Sequence, residues 1–360
     1  MSLKPQDFFR PEILKATAYS VAAAEGRIKL DAMENPYPWP ESLVEGWLNY
    51  LSQARPNRYP DPEASALKAA LRRYANLPED AEVLLGNGSD EIIQIVLLAL
   101  AGHPGATVLA PEPSFVMYRQ VAQWLGVNFV GVPLNRDFSL DLDAMLANIA
   151  RHRPKIVFLA YPNNPTGNLF DASAVLTLIE RTPGLVIVDE AYAPFAQVSF
   201  TDRLGQFPNL LVMQTLSKLG LAGLRLGFLA GPREWLEQFN KLRLPYNINV
   251  LTQLSAEFAL THLEVFQQQT ARIRAERAAL FTELASLPQV QAFPSAANFI
   301  LFRVKEADRV FNGLKSQGVL IKNLNPQGGL LQGCLRVTVG TPAENQAFLR
   351  ALRAALGFAG

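Results

Sequence analysis

From Glu82 onward the chain repeats one pattern, a short and mainly apolar run followed by a longer amphipathic segment. The runs are Val83-Leu84-Leu85, Thr107–Ala110, Asn128–Pro133, Lys155–Ala160, Leu185–Val188, Leu210–Gln214 and Leu226–Ala230. A strand with one wet face alternates polar and apolar residues, whereas these runs must be covered on both faces. Helical patterns stand over Glu91–Ala101, Ser114–Leu125, Asp141–Arg151 and Ser173–Arg181. Strands of this kind separated by helices predict an α/β fold, a mainly parallel sheet in an α/β/α sandwich. After Pro232 the chain reads as helical to about Leu287 and then alternates again. Strands are expected at Asn298–Val304, Val319–Lys322 and Leu335–Val339, and helices at Asp308–Gln317 and Glu344–Leu356. That predicts a smaller α+β domain. A chain of 360 residues has room for both. The expected division is a large domain over 45–255 and a small domain of 256–360 joined by 1–44.

Residues 1–40 read as irregular and proline-rich, ending in Asp31-Ala32-Met33-Glu34-Asn35-Pro36-Tyr37-Pro38-Trp39-Pro40. A second loop, Asn57-Arg58-Tyr59-Pro60-Asp61-Pro62, precedes a helical pattern over Glu63–Asn76. Both loops read equally as linkers or as rigid aromatic walls of a site.

In a parallel sheet, ligands sit beyond the carboxyl ends of the strands. Four strand ends carry polar groups. Val83–Leu85 runs into Gly88-Ser89-Asp90 at the start of a helix, a place for an anion. Lys155–Ala160 ends at Asn163-Asn164-Pro165-Thr166-Gly167, and Leu185–Val188 at Asp189-Glu190-Ala191-Tyr192. Leu210–Gln214 ends at Thr215-Leu216-Ser217-Lys218, with Gly223-Leu224-Arg225 close behind. Any one of these is ordinary, and Lys218 by itself reads as well as a loop lysine. All four on one sheet edge are hard to explain as packing.

The chemistry of the set is that of pyridoxal phosphate, which needs an imine-forming lysine and an acid at its pyridine nitrogen. Lys218 sits among hydroxyls and glycines beside Arg225. Burial and a neighbouring cation lower a lysine pKa, and the neutral amine is the nucleophile. Asp189 would keep the ring nitrogen protonated. Asn164 and Tyr192 would bind the ring's phenolic oxygen, and Ser217, Thr215 and Arg225 the phosphate. Phe115 reads equally as a stacking partner for the ring or as a core aromatic. Lys218, once displaced by substrate, is left as the base.

The composition excludes other classes. A net charge of +1 gives no electrostatic case for nucleic acid or an anionic membrane. The longest apolar run, Ile95–Ala101, is too short to span a bilayer. A single cysteine, Cys334, forms no internal disulfide, and the first ten residues lack an apolar core of a secretory signal. A soluble, cytoplasmic protein is expected. His103, His152 and His262 are scattered without metal spacing.

Three segments, Tyr161–Gly167, Asp189–Tyr192 and Thr215–Lys218 with Gly223–Gly227, resemble the fold type I aminotransferases of the aspartate aminotransferase superfamily. Glu34-Asn35-Pro36-Tyr37, Arg58-Tyr59-Pro60 and Cys334–Gly340 narrow the resemblance to the histidinol-phosphate aminotransferases, over nearly the whole chain. The resemblance implies a fold type I pyridoxal phosphate enzyme, with Lys218 as the Schiff-base lysine and Asp189 at the pyridinium. It implies Asn164 and Tyr192 at the phenolic oxygen, and Gly88, Ser89, Asp90, Thr215, Ser217 and Arg225 around the phosphate. Tyr59 would reach the cofactor phosphate of a neighbouring subunit, so a homodimer is implied. Arg336 would bind the anionic end of substrates, with Tyr19, Asn35 and Tyr246 lining the pocket. The implied reaction is transamination between L-histidinol phosphate and 2-oxoglutarate, a step of histidine synthesis.

Two positions depart from the family. Lys322 stands where an arginine usually binds the substrate phosphate, and it lacks the bidentate fork. Phe115 stands where tyrosine is frequent. An aromatic amino-acid aminotransferase is the nearest alternative, and a threonine-phosphate decarboxylase on the same scaffold a further one. A regulator carrying this fold is disfavoured, because no helix-turn-helix pattern precedes Glu82.

Overall fold

The computed structural model describes residues 3–18, 23 and 26–358. Its strands are β1 (Ile28–Lys29), β2 (Ala81–Asn87), β3 (Thr107–Glu112), β4 (Asn128–Pro133), β5 (Ile156–Ala160), β6 (Leu185–Asp189), β7 (Leu210–Thr215) and β8 (Leu226–Pro232). The C-terminal part adds β9 (Val290–Ala292), β10 (Phe299–Val304), β11 (Val319–Leu320), β12 (Lys322–Asn323) and β13 (Cys334–Thr338).

The apolar runs do form one sheet, in the order β2-β8-β7-β6-β5-β3-β4. β8 runs antiparallel to both neighbours and the other pairings are parallel. Six strands therefore finish at one edge, where β8 begins. One face packs Ile92, Val96, Tyr118 and Val121 of helices Gly88–Leu98 and Val116–Leu125. The other packs Met145, Ile149, Val175 and Leu178 of helices Leu142–His152 and Ala172–Arg181. This is the sandwich expected from strands with two dry faces. It is the fold type I architecture.

The smaller sheet is antiparallel, in the order β12-β13-β10-β9. β1 pairs with β11, which ties the N-terminal segment to this lobe. The helix Leu263–Ala285 serves both cores, with Phe266 in one and Ile273, Leu280 and Leu284 in the other.

Two local expectations are corrected. The strand expected at Val319–Lys322 is two, because Ile321 separates a pair bonded to β1 from a pair bonded to β13. Residues 1–40 are not wholly irregular, since Pro5–Asp7 and Pro11–Lys15 are short helices, each opened by proline at its first position. Helix Glu41–Leu51 follows Pro40 and buries Leu43 against the large core. The positions 44/45 and 255/256 both fall inside helices, Glu41–Leu51 and Val250–Thr261.

Candidate active site

Where the strands finish, a cavity of about 400 Å³ opens between the lobes. Ser89, Asp90, Phe115, Asn164, Asp189, Tyr192, Thr215, Ser217, Lys218 and Arg225 all line it. Register explains the convergence. Asp189 lies beside Ala160 on one side and Met213 on the other, and Thr215 faces Gly227 across β7 and β8.

On one side the chain builds an anion cradle. Gly88 opens the helix with φ +76°, and a Cβ there would lie 2.5 Å from Nη2 of Arg225. That positive φ favours glycine, and any side chain there would push the guanidinium aside. Arg225, itself left-handed at φ +50°, donates from Nη1 to Oγ of Ser217 at 3.2 Å and pairs through Nη2 with Asp90 at 3.3 Å. Thr215 caps the turn, its Oγ1 accepting from the Ser217 N–H at 3.2 Å. The helix N-terminus, a guanidinium and hydroxyls together suit a phosphate.

Lys218 is half-buried, and its Nζ donates to the carbonyl of Ala32 at 3.1 Å. Burial, then the charges of Arg336 and Arg225, lowers its pKa to about 8. The neutral amine is thus accessible near physiological pH. Asp189 is pushed up to about 6 by burial, against the hydroxyl of Tyr118 and the N–H of Ala191, which both donate to it. Asn164 donates to the Tyr192 hydroxyl at 3.1 Å, so amide and phenol meet at one point of the wall. These groups fit pyridoxal phosphate: an amine, a buried acid for the ring nitrogen and a cradle for the phosphate.

Beyond the Asn164 wall stands the small lobe. Arg336 donates from Nη1 to Oδ1 of Asn164 and from Nη2 to the carbonyl of Asp31, with its guanidinium 5.1 Å from the Phe299 ring. Lys322 lies directly opposite Arg336 in the β12–β13 ladder. Neither belongs to the lining of the cavity itself; Arg336 stands behind Asn164. The segment Ala32–Glu34 roofs the cavity, held by Thr338, whose Oγ1 accepts from the Met33 N–H, and by Asn298, which donates to the Met33 carbonyl.

Two expected pocket residues fall elsewhere. Asn35 does not line the cavity. Its amide donates to the Leu219 carbonyl and to Gln269, and its Oδ1 accepts from the Tyr37 N–H, so it clamps the loop behind Lys218. Tyr246 stacks on Tyr59 with ring centroids 4.4 Å apart, outside the cavity, and Tyr59 is 80% exposed. Tyr19 lies outside the described residues. Sequence reasoning missed Tyr118, whose helical spacing reads as core, and Glu34, which lines the cavity mouth and pairs with Lys29. It also left Glu190 unassigned. That side chain points away from the cavity into a buried net, accepting from Ser199, Gln214 and the Phe200 N–H. Among the described residues no group of side chains could hold a metal ion, and no helix is long and apolar enough to cross a membrane.

The family described as Aminotransferase class I and II matches residues 25–352. Histidinol-phosphate aminotransferase 2 of Nitrosococcus oceani is 58% identical over 96% of this chain and 97% of its own length. The crystal structure of histidinol-phosphate aminotransferase from Sinorhizobium meliloti, in complex with pyridoxal-5'-phosphate, is 24% identical with a TM-score of 0.85, covering 97% of each chain. L-threonine-O-3-phosphate decarboxylase from Porphyromonas gingivalis shares the fold too, at 23% identity and a TM-score of 0.77 over 91% of this chain and 99% of that one. The apolar strands, the amine and acid at their ends and these likenesses agree: the chain belongs to the class I and II aminotransferases, in the branch of the histidinol-phosphate aminotransferases.

Proposed function

We propose that this enzyme moves the amino group of L-histidinol phosphate to 2-oxoglutarate, giving imidazole-acetol phosphate and L-glutamate. The observation that carries the reaction type is the half-buried Lys218 amine sharing one cavity with the buried Asp189 carboxylate. The kinship with the Nitrosococcus enzyme, and Lys322 lying opposite Arg336, support the phosphorylated substrate.

Pyridoxal phosphate, when bound, supplies an aldehyde that condenses with amines and a ring that takes up electrons. Lys218 would hold the aldehyde carbon until substrate displaces it, and its Nζ would then serve as the base for the amine-bearing carbon. Asp189 would keep the ring nitrogen protonated. Asn164 and Tyr192 would hold the phenolic oxygen, and Phe115 would stack on the ring. Ser89, Asp90, Thr215, Ser217 and Arg225 hold the cofactor phosphate, the first two through backbone N–H groups beside Gly88. Arg336 takes the substrate's anionic end, a phosphate in one half-reaction and a carboxylate in the other, with Lys322 as a second cation for the phosphate. In this reading the enzyme is a cytoplasmic homodimer whose Tyr59 completes the neighbour's phosphate site. In the same reading the chain divides into a large domain of 45–255 and a small domain of 1–44 with 256–360.

The test is one turnover of the loaded enzyme without 2-oxoglutarate, offering histidinol phosphate, phenylalanine and threonine phosphate separately. Release of imidazole-acetol phosphate, faster than any product from the other two, is the expected result. Faster turnover of phenylalanine with histidinol phosphate inert would make this an aromatic aminotransferase. Carbon dioxide from threonine phosphate would make it a decarboxylase.

A further inference from the structure

The hydroxyl of Tyr118 donates to Oδ2 of Asp189 at 2.5 Å, within the short range of bonds to a carboxylate. Oδ1 of the same carboxylate accepts the Ala191 N–H at 3.1 Å. The two donors pin both oxygens, so the carboxylate cannot rotate. Tyr118 is itself held. It has no exposed surface, stacks on Phe158 with centroids 4.5 Å apart and planes 5° apart, and meets Phe115 edge-on at 5.6 Å. Its phenol is far from ionising, since burial and the nearby Asp189 charge push its pKa well up. It can therefore serve only as a neutral donor to Asp189.

We propose that Tyr118 is a positioning residue for the cofactor: its hydroxyl aims the Asp189 carboxylate at the ring nitrogen of pyridoxal phosphate and keeps it ionised. This rests on the role given to Asp189 above. Burial favours the neutral acid, and a neutral acid cannot hold a proton on a ring nitrogen. A donor to the carboxylate favours the anion and opposes burial. The other groups facing Asp189 do not replace it. Asp90, on helix Gly88–Leu98, carries like charge and raises the Asp189 pKa. Tyr192, three residues further on, accepts from Asn164. Lys218 reaches across the cavity to Ala32. Through its edge contact with Phe115, Tyr118 also couples the residue on the ring face to the residue at the ring nitrogen.

Tyr118→Phe removes one oxygen and keeps the ring. With ring-labelled ¹⁵N pyridoxal phosphate bound, the nitrogen resonance is followed against pH in wild type, Tyr118→Phe, Asp189→Asn and Phe158→Leu. The expected result is a nitrogen that loses its proton at lower pH in Tyr118→Phe than in wild type, with cofactor bound roughly ten- to a hundredfold more weakly. Phe158→Leu, which alters packing but keeps the hydroxyl, should titrate as wild type does. A wild-type titration in Tyr118→Phe, with Asp189→Asn deprotonated, would overturn the role of Tyr118 alone. An equal shift in Phe158→Leu would assign the effect to packing and also overturn it. Wild-type protonation in Asp189→Asn would remove the reading of Asp189 on which the proposal stands.

Discussion

Arg225 and Arg336 both bear on Lys218, lowering its pKa from two directions, yet they are built differently. Arg225 follows the lysine within one short stretch, at the end of the next turn, is half exposed, and exchanges contacts with Ser217 and the carboxylate of Asp90. Arg336 comes from the middle of the other sheet, is buried, and donates to Asn164 and to the Asp31 carbonyl. The first belongs to a rigid cradle made by one stretch of chain and one helix start, suited to a cofactor that stays. The second depends on the small lobe, the roof at Ala32–Glu34 and the large lobe meeting at once, suited to substrates that come and go.

That contrast can be broken by mutation. The largest effect is expected at Lys218, which serves both sides. Lys218→Ala should lower the rate of one turnover by about 10²–10⁴-fold or more, measured by product released per site. Next come the two arginines, each tested on both readouts. Arg225→Lys should weaken cofactor binding roughly tenfold or more and leave the substrate KM nearly unchanged. Arg336→Lys should do the reverse, raising KM for histidinol phosphate and for 2-oxoglutarate. Equal effects of both changes on both readouts would dissolve the distinction.

The lysine pKa gives a smaller effect with a definite sign. The neutral amine captures the aldehyde, so the initial rate of cofactor uptake by the empty protein should rise with pH and level off above about 8. A rate independent of pH from 6 to 9 would contradict the lowered pKa of Lys218.

The smallest effect lies outside the cavity. Glu190 is raised to about 7 by burial, from an ordinary value of 4.5. The folded state therefore binds this proton more tightly than the unfolded chain. Its contribution is whole below the unfolded value and is lost as pH rises through about 7. Glu190→Gln should flatten that part of the Tm–pH curve in the loaded enzyme and spare cofactor binding. Its neighbour Asp189 serves the cavity, so Asp189→Asn should weaken cofactor binding instead.

The same contrast governs what the sequence alone could tell. The cofactor side was legible because each group follows directly on its own strand, and strand ends in a parallel sheet share an edge. Asp189, Thr215 and Ser217 are consequences of counting along β6 and β7. The substrate side was legible only in part. No local pattern says that Asn35 turns its amide onto Leu219 and Gln269, or that Arg336 stands behind Asn164. Those facts need the pairing of β1 with β11 and of β12 with β13, contacts between distant segments. Tyr118 was hidden for a different reason. It occupies an apolar-face position of its helix, where an aromatic reads as core, and it is core except for one oxygen. Helix Glu41–Leu51 was masked by the prolines just before it, which stop at its first turn.

The most direct test of the account is chemical trapping. The protein is loaded with pyridoxal phosphate, reduced with borohydride, digested and mapped by mass. The account predicts the pyridoxyl group on the peptide that contains Lys218, and its loss from that peptide in Lys218→Ala. A label on Lys322, on any other lysine, or on none would contradict it.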